Sequence, residues 1–161
     1  MMRILPFVSL VLALGACHKT SSAGHQTLSW QMSPDQKSWA AVTLPSTDWK
    51  CDDCDRYFKA TVHGQPSSVK FHFASDNKAR LLVNGKPVFE DFWKAGTCTE
   101  KNCCDDCCDT PEHCASVIGK SPEHALSAAA LKEFHDGDND LEWQVHQESG
   151  GSGFDVKMDV E

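Results

Sequence analysis

Residues 78–90 read KARLLVNGKPVFE, and this stretch decides the fold. The pair Asn84-Gly85 favours the two-residue turn of a β-hairpin, because both residue types tolerate a positive φ. Before the turn, Ala79, Leu81 and Val83 recur at every second position, which places them on one face of a strand. The stretch therefore predicts two antiparallel strands that bury one face.

The same period of two recurs in both directions along the chain. The predicted inward rows are Leu28, Trp30 and Met32; Phe58, Ala60 and Val62; Val69, Phe71 and Phe73; Leu141, Trp143 and Val145; and Phe154, Val156, Met158 and Val160. A short helix is predicted to start near Ser121, with Leu126, Ala129, Ala130 and Phe134 on one face. These patterns predict an all-β, antiparallel β-sandwich of about eight strands with a short helix.

Composition limits both the class of protein and its partners. The chain has 161 residues, of which 40% are hydrophobic, so one ordinary domain is expected. The 15 Lys and Arg against 23 Asp and Glu give a net charge of −8, which argues against a nucleic-acid partner. The five Trp and eight Phe argue against a disordered chain.

The N-terminus has the layout of a bacterial export signal. Arg3 precedes an apolar stretch over residues 4–13, which is too short to span a membrane as a helix. Residues 14–17 read LGAC and resemble the lipobox of bacterial lipoproteins, in which the cysteine is acylated and becomes the new N-terminus. The chain is thus similar to bacterial lipoproteins at its N-terminus.

This resemblance implies a particular processing and location. It implies a signal peptide at residues 1–16, a lipid such as palmitate on Cys17, and a flexible tether over residues 17–25. Acyl chains would bind the chain to a membrane without a membrane-spanning helix. His18 follows the cysteine where retention in the inner membrane would need Asp, so the resemblance implies the outer membrane of the bacterial envelope.

A second resemblance concerns the remainder of the chain. The matching features are the hairpin region at residues 74–89, the segment 126–131, the motif Gly137-Asp138-Asn139, and the Gly-rich turn and last strand at residues 150–160. Together they resemble the galactose-binding-domain-like jelly roll, a module often appended to bacterial glycosidases. The resemblance implies one such β-sandwich over residues 26–161, interrupted by an insert at residues 94–119. Its motifs are structural, so they imply a fold and no ligand-contacting residue.

Cysteines dominate the insert and the segment before the second predicted strand. The eight besides Cys17 are Cys51, Cys54, Cys98, Cys103, Cys104, Cys107, Cys108 and Cys114. An even number in an exported chain favours disulfides of unknown pairing, because the polar insert has few apolar side chains to fold around. Paired C-x-x-C units near His113 also have the spacing of a zinc site, and thiol redox chemistry is a third interpretation.

Residues 136–140 resemble a calcium loop in composition. Asp136, Asp138 and Asp140 place three carboxylates at alternate positions. Leu141 stands where an EF-hand loop needs Gly, which favours a polar turn that leads into a strand. A structural calcium of another kind stays open, and no other cofactor is predicted.

No sequence motif indicates catalysis, so the chain is predicted not to be an enzyme. We expect a non-catalytic binding role towards a glycan or an envelope protein, because the cross-linked insert would present its groups rigidly. Metal handling by the insert is the alternative, a carbohydrate-active enzyme or its accessory domain is the third, and simple protease resistance of the loop stays open. The predicted ligand-binding residues are Trp93, Glu100, Asp105, Asp106, Asp109 and Glu112.

Overall fold

The computed structural model describes residues 25–47, 49, 53–75, 78–91, 121–147 and 153–161. The predicted signal peptide, the lipidated Cys17 and the insert at residues 94–119 lie outside these ranges. No helix within the described ranges is long and apolar enough to cross a membrane.

Two antiparallel sheets make up the fold. The six-stranded sheet has the order β2-β1-β4-β9-β6-β7, and the four-stranded sheet has the order β3-β10-β5-β8. The strands are β1 (Gln31–Ser33), β2 (Ala40–Ala41), β3 (Ser46–Thr47), β4 (Cys54–His63), β5 (Val69–Ser75), β6 (Lys78–Val83), β7 (Lys86–Asp91), β8 (His124–Ala125), β9 (Asp138–Gln147) and β10 (Gly153–Val160). The predicted all-β antiparallel sandwich is confirmed, with ten strands among the described residues instead of about eight.

The core lies between the two sheets and contains a cluster of contacting aromatic side chains. Trp143 of β9 is fully buried, and its ring lies 5.2 Å from Phe73 and 5.5 Å from Phe154, measured between ring centroids. Phe58 of β4 packs against Phe154 at 4.6 Å. Burial of each such side chain contributes about 1.5–3 kcal/mol, so the facing apolar rows supply the main attraction between the two sheets. Trp30 and Trp143 both pack in the core, as predicted.

The hairpin that decides the fold forms as expected. Strands β6 and β7 pair with Val83 opposite Lys86, which leaves Asn84 and Gly85 as the turn. Asn84 has a φ of 51° and Gly85 a φ of 79°, which are the two positive values that a type I′ turn needs. The chain therefore reverses within two residues and sets the register of the sheet edge.

Asn139 explains why the Gly-x-Asn motif belongs to the fold. Its side chain is fully buried, and Nδ2 donates to the carbonyl oxygens of Val62, Gly64 and His135 at 3.0–3.3 Å. Its Oδ1 accepts from Nδ2 of Asn84 at 2.9 Å. One side chain thus ties β4, the hairpin turn and the start of β9 together.

The helix begins later than predicted. Residues 121–123 are irregular, β8 follows, and α1 spans only Ala128–Leu131, where Oγ of Ser127 accepts from the Ala130 N–H as a cap. Pairing with β5 explains the difference, because Oγ of Ser121 accepts from the Phe73 N–H and the segment extends the sheet. The predicted inward residues Leu126, Ala130 and Phe134 are buried, whereas Ala129 is exposed.

Candidate functional site

The three carboxylates that resemble a calcium loop in composition do not converge. Asp138 lies 2.6 Å from Nδ1 of His63, and Asp140 lies 2.9 Å from Nζ of Lys59. Asp136 is exposed and precedes the turn at Gly137, which has a φ of 103°. Within the described ranges no group of three or more His, Cys, Asp or Glu is placed to hold a metal ion. The residues form the polar turn that leads into β9.

These ion pairs belong to the outer face of the six-stranded sheet. The register sets Lys59 opposite Glu142, Thr61 opposite Asp140, and His63 opposite Asp138. All these residues alternate with buried ones, so their side chains point away from the core. We call this outer surface the polar face, and it consists of Gln31, Asp55, Tyr57, Lys59, Thr61, His63, Lys78, Arg80, Asp138, Asp140, Glu142, Gln144 and His146.

Hydrogen bonds link the side chains of the polar face across strands. Nε of Arg80 donates to Oε1 of Gln144 at 2.6 Å, and Nε2 of Gln144 donates to Oε1 of Glu142 at 2.8 Å. The same Glu142 oxygen accepts from Nε2 of Gln36 at 2.9 Å, so the chain of bonds ends in the loop between β1 and β2. Gln144 is only 7% exposed although it points outward, because its neighbours cover it.

A groove runs along the β1 side of the polar face. It encloses about 320 Å³ and is lined by Thr27, Ser29, Gln31, Lys59, Ala60, Thr61 and His63. The lining offers three hydroxyls, one amide, one ammonium and one imidazole, and it contains no carboxylate. The volume is at the small end of the range for ligand sites, which runs from about 300 to 1,000 Å³.

The β1–β2 loop lies at the Lys59 end of the groove, where Trp39 contacts Lys59. Oδ1 of Asp35 accepts from the backbone N–H groups of Lys37 and Ser38 at 2.9 and 3.0 Å, and also from Oγ of Ser33. The backbone bonds from Lys37 and Ser38 lower the pKa of Asp35 below 3.8. The loop ends at Trp39, whose ring centroid lies 5.8 Å from Nζ of Lys59. That distance is within the range of a cation–π contact.

Tyr57 lies on the part of the polar face that is farther from His63 and the groove. Its hydroxyl donates to Oδ2 of Asp55 at 3.4 Å, and Nδ1 of His146 is 2.8 Å from Oδ1 of the same carboxylate. Nε2 of His146 is 3.5 Å from Asp53. Partial burial, followed by the negative charge of Asp55, raises the pKa of Tyr57 above 10.0. These contacts connect His146 to the other side chains of the polar face.

The predicted insert site lies outside the described residues. This applies to Trp93 and to the acidic residues Glu100, Asp105, Asp106, Asp109 and Glu112. Of the eight cysteines only Cys54 is described, and it is disulfide-bonded. The roles predicted for the other seven, Cys51, Cys98, Cys103, Cys104, Cys107, Cys108 and Cys114, stay predictions.

Sequence reasoning missed the groove. The signal was present, because the row Leu28, Trp30 and Met32 turns Ser29 and Gln31 outward, and the row of β4 turns out its neighbours in the same way. The sequence pattern does not reveal that β1 pairs with β4, and this pairing sets Gln31 opposite Lys59. The polar face also carries Tyr57, and Trp39 of the β1–β2 loop contacts Lys59; sequence reasoning had assigned neither aromatic side chain to this surface.

Comparisons with known proteins found matches among solved structures only. No protein-family profile and no curated protein matches the chain. Among solved structures, a β-D-glucuronidase from Dictyoglomus thermophilum is 12% identical with a TM-score of 0.45, over 78% of this chain. An FMN-binding β-glucuronidase from Facaelibacterium prausnitzii L2-6 is 14% identical with a TM-score of 0.46, over 85% of this chain. This chain spans 19% and 23% of the lengths of those two proteins.

Proposed function

We propose that the chain is a non-catalytic carbohydrate-binding lipoprotein of the bacterial envelope, and that the groove on the polar face is its binding site. The observation that carries the proposal is the lining of the groove. Each sugar hydroxyl is both a donor and an acceptor, and Thr27, Ser29 and Thr61 offer the same double capacity. Gln31 adds both roles in one amide. The donors and acceptors of such a lining can pair with the hydroxyls of a polyol, whereas an apolar ligand would leave them without partners.

The surroundings of the groove support binding by a surface of fixed shape. Lys59 is held between Asp140 and the ring of Trp39, and the bond from Gln36 to Glu142 fastens the loop that carries Trp39. Side chains that are already ordered lose less conformational entropy when a ligand binds.

A glycan array followed by calorimetry tests the proposed site. Lys59→Ala should weaken binding of the saccharide identified on the array by about tenfold, the equivalent of about 1.4 kcal/mol for one charged hydrogen bond. The matched control is Lys157→Ala, because Lys157 is an outward lysine of β10 in the other sheet. Equal affinities of both variants and the parent chain would rule out the groove.

The lipid anchor is a separate part of the proposal and rests on the LGAC sequence at residues 14–17. Cys17→Ser should leave a precursor that is neither cleaved nor lipidated and that is lost from the outer-membrane fraction. Metabolic labelling with a radioactive fatty acid measures this directly. Label that still enters the Cys17→Ser variant would refute the assignment.

A further inference from the structure

The charges around the groove point to a more specific class of ligand. Two basic side chains line the groove, and each has a carboxylate beside it. Nζ of Lys59 is 2.9 Å from Asp140, and Nδ1 of His63 is 2.6 Å from Asp138. Both carboxylates belong to β9, the strand next to β4, so they lie outside the lining while they offset its positive charge.

The balance of charge near the groove is not positive. An ionised carboxylate only accepts hydrogen bonds, so Nδ1 of His63 donates to Asp138, and that pair is neutral or negative whether or not Nε2 is protonated. The pair of Lys59 with Asp140 is neutral. Glu142, directly opposite Lys59 in the register, adds a further carboxylate.

The remaining charges of the polar face lie farther along the sheet. Arg80 is on β6, on the far side of β9 from the groove, where it donates to Gln144. Asp55 and His146 contact each other near the start of β4, whereas His63 is the last residue of that strand. Lys78 lies opposite His146 on β6. None of these groups places an uncompensated positive charge at the groove.

We infer that the groove binds an uncharged saccharide and discriminates against uronic acids and sulfated sugars. This inference rests on the proposed carbohydrate-binding function and deepens it. A carboxylate on the ligand would lose its water and meet cations that are already neutralised, which costs free energy. Neutral hydroxyls meet no such penalty, because Thr27, Ser29, Gln31 and Thr61 can donate to them and accept from them.

Calorimetry on the full chain tests the inference with matched sugar pairs. Each pair contains a neutral hexoside and its uronic acid, such as glucoside and glucuronide, galactoside and galacturonide, or mannoside and mannuronide. We expect the neutral member of the bound pair to bind at least about tenfold more tightly than its acidic counterpart. Its affinity should change little between low and high salt, since no net charge is brought together.

Asp140→Asn supplies the decisive variant. The substitution keeps the shape of the side chain and removes the negative charge beside Lys59, so binding of the acidic member should tighten by about tenfold. The readout is the ratio of the two affinities, because a loosened Lys59 would weaken both members alike, and the preference for the neutral member should fall by about tenfold. Asp140 is 58% exposed, so the change should leave folding intact, and circular dichroism checks this.

Asp159→Asn is the matched control. It makes the same change of charge at a carboxylate paired with His25, on a strand of the four-stranded sheet. Asp159→Asn should change neither the affinity for the neutral sugar nor the affinity for its uronic acid. Tighter binding of the acidic sugar to the parent chain, or an unchanged preference in Asp140→Asn, would overturn the inference and leave carbohydrate binding standing. If no member of any pair binds, the proposed function fails and the inference fails with it.

Discussion

The outer faces of the two sheets come from the same alternating pattern and differ in how their side chains are connected. On the six-stranded sheet, polar side chains contact each other from strand to strand, as Arg80, Gln144 and Glu142 do. On the four-stranded sheet, the contacts of Lys70 and His72 lead to the flanking residues Glu123 and Ser121. Alternation therefore predicts which side chains face solvent. Which of those side chains hydrogen-bond to each other depends on which strands are adjacent in the sheet.

Strand length accounts for part of this difference. Strands β4 and β9 each have ten residues and pair along their whole length, which aligns two rows of outward side chains. Directly opposite side chains in such rows are close enough to interact. In the four-stranded sheet β10 has a long partner in β5, but β3 and β8 have only two residues each. The longer paired rows thus give the polar face its linked surface.

The largest expected effect comes from filling the groove. Thr61→Trp places a bulky ring at an exposed position of the lining, so saccharide binding should fall by more than about tenfold. Folding should persist, because tryptophan is well tolerated in strands. Calorimetry against the Lys157→Trp control, on the four-stranded sheet, measures the difference between the faces. Full affinity in Thr61→Trp would show that the groove is not used.

A stability difference between the faces should come next in size. Gln144→Ala leaves Nε of Arg80 and Oε1 of Glu142 without their shared partner in a nearly buried place. The free energy of unfolding should fall by about 1–3 kcal/mol. Lys70→Ala removes only an exposed pair with Glu123 at 3.9 Å and should cost less than about 1 kcal/mol. Similar urea denaturation midpoints for the two variants would contradict the distinction between the faces.

Tyr57 provides a titration specific to the polar face, since it is the single tyrosine of the sequence. Its pKa is raised above 10.0 by partial burial and then by Asp55, so the phenolate should appear only at higher pH than in the unfolded chain. The neutral phenol contributes stability that is fully present below pH 10.0 and is lost as the pH rises through the folded pKa. Ultraviolet absorbance of the phenolate as a function of pH measures the pKa of Tyr57 in the folded chain.

Asp55→Asn gives the corresponding comparison for Tyr57. Removing the negative charge should move the pKa part of the way back towards 10.0, because burial persists in the variant. Asp159→Asn, at a carboxylate on the other sheet, should leave the titration unchanged. If both variants titrate like the parent chain, Asp55 does not act on Tyr57.

The smallest effect concerns the loop between β1 and β2. The pKa of Asp35 is lowered below 3.8 by the N–H groups of Lys37 and Ser38. Its contribution to stability is therefore present above pH 3.8 and is lost as the pH falls through the folded pKa. Titration of the Asp35 carboxyl by NMR should give a value below that of a model peptide. Asp35→Ala should speed hydrogen exchange at the Ser38 amide, and unchanged exchange would show that the loop does not depend on this carboxylate.

Local sequence signals were enough to predict most of the fold. The Asn84-Gly85 turn and the inward rows involve residues close together in the chain, and their structure follows from backbone preference and burial. The helix was placed too early, because the preference of residues 121–125 for helix competes with the pairing to β5 that the sequence does not reveal. Tertiary contacts decided that segment.

The candidate site was much less predictable. Gln36 and Glu142, whose side chains are hydrogen-bonded, lie 106 residues apart, and Lys59 contacts an aspartate from another distant strand. No local pattern encodes such neighbours, so the sequence predicted the polar turn at residues 136–140 but not the pairing of Asp138 and Asp140 with basic residues on β4. The insert is the competing location for binding. Its acidic residues would favour a cationic partner and salt-sensitive association, whereas binding of a neutral saccharide at the groove should depend little on salt.

Amide chemical-shift mapping tests the central claim most directly. The full chain is titrated with the neutral saccharide that binds best, and the perturbed residues are located by NMR. We expect the largest shifts at the groove, around Gln31, Lys59 and Thr61, and none around Lys70 or Lys157 on the four-stranded sheet. Shifts confined to residues 94–119 or to the four-stranded sheet would contradict the claim that the polar face is the binding face.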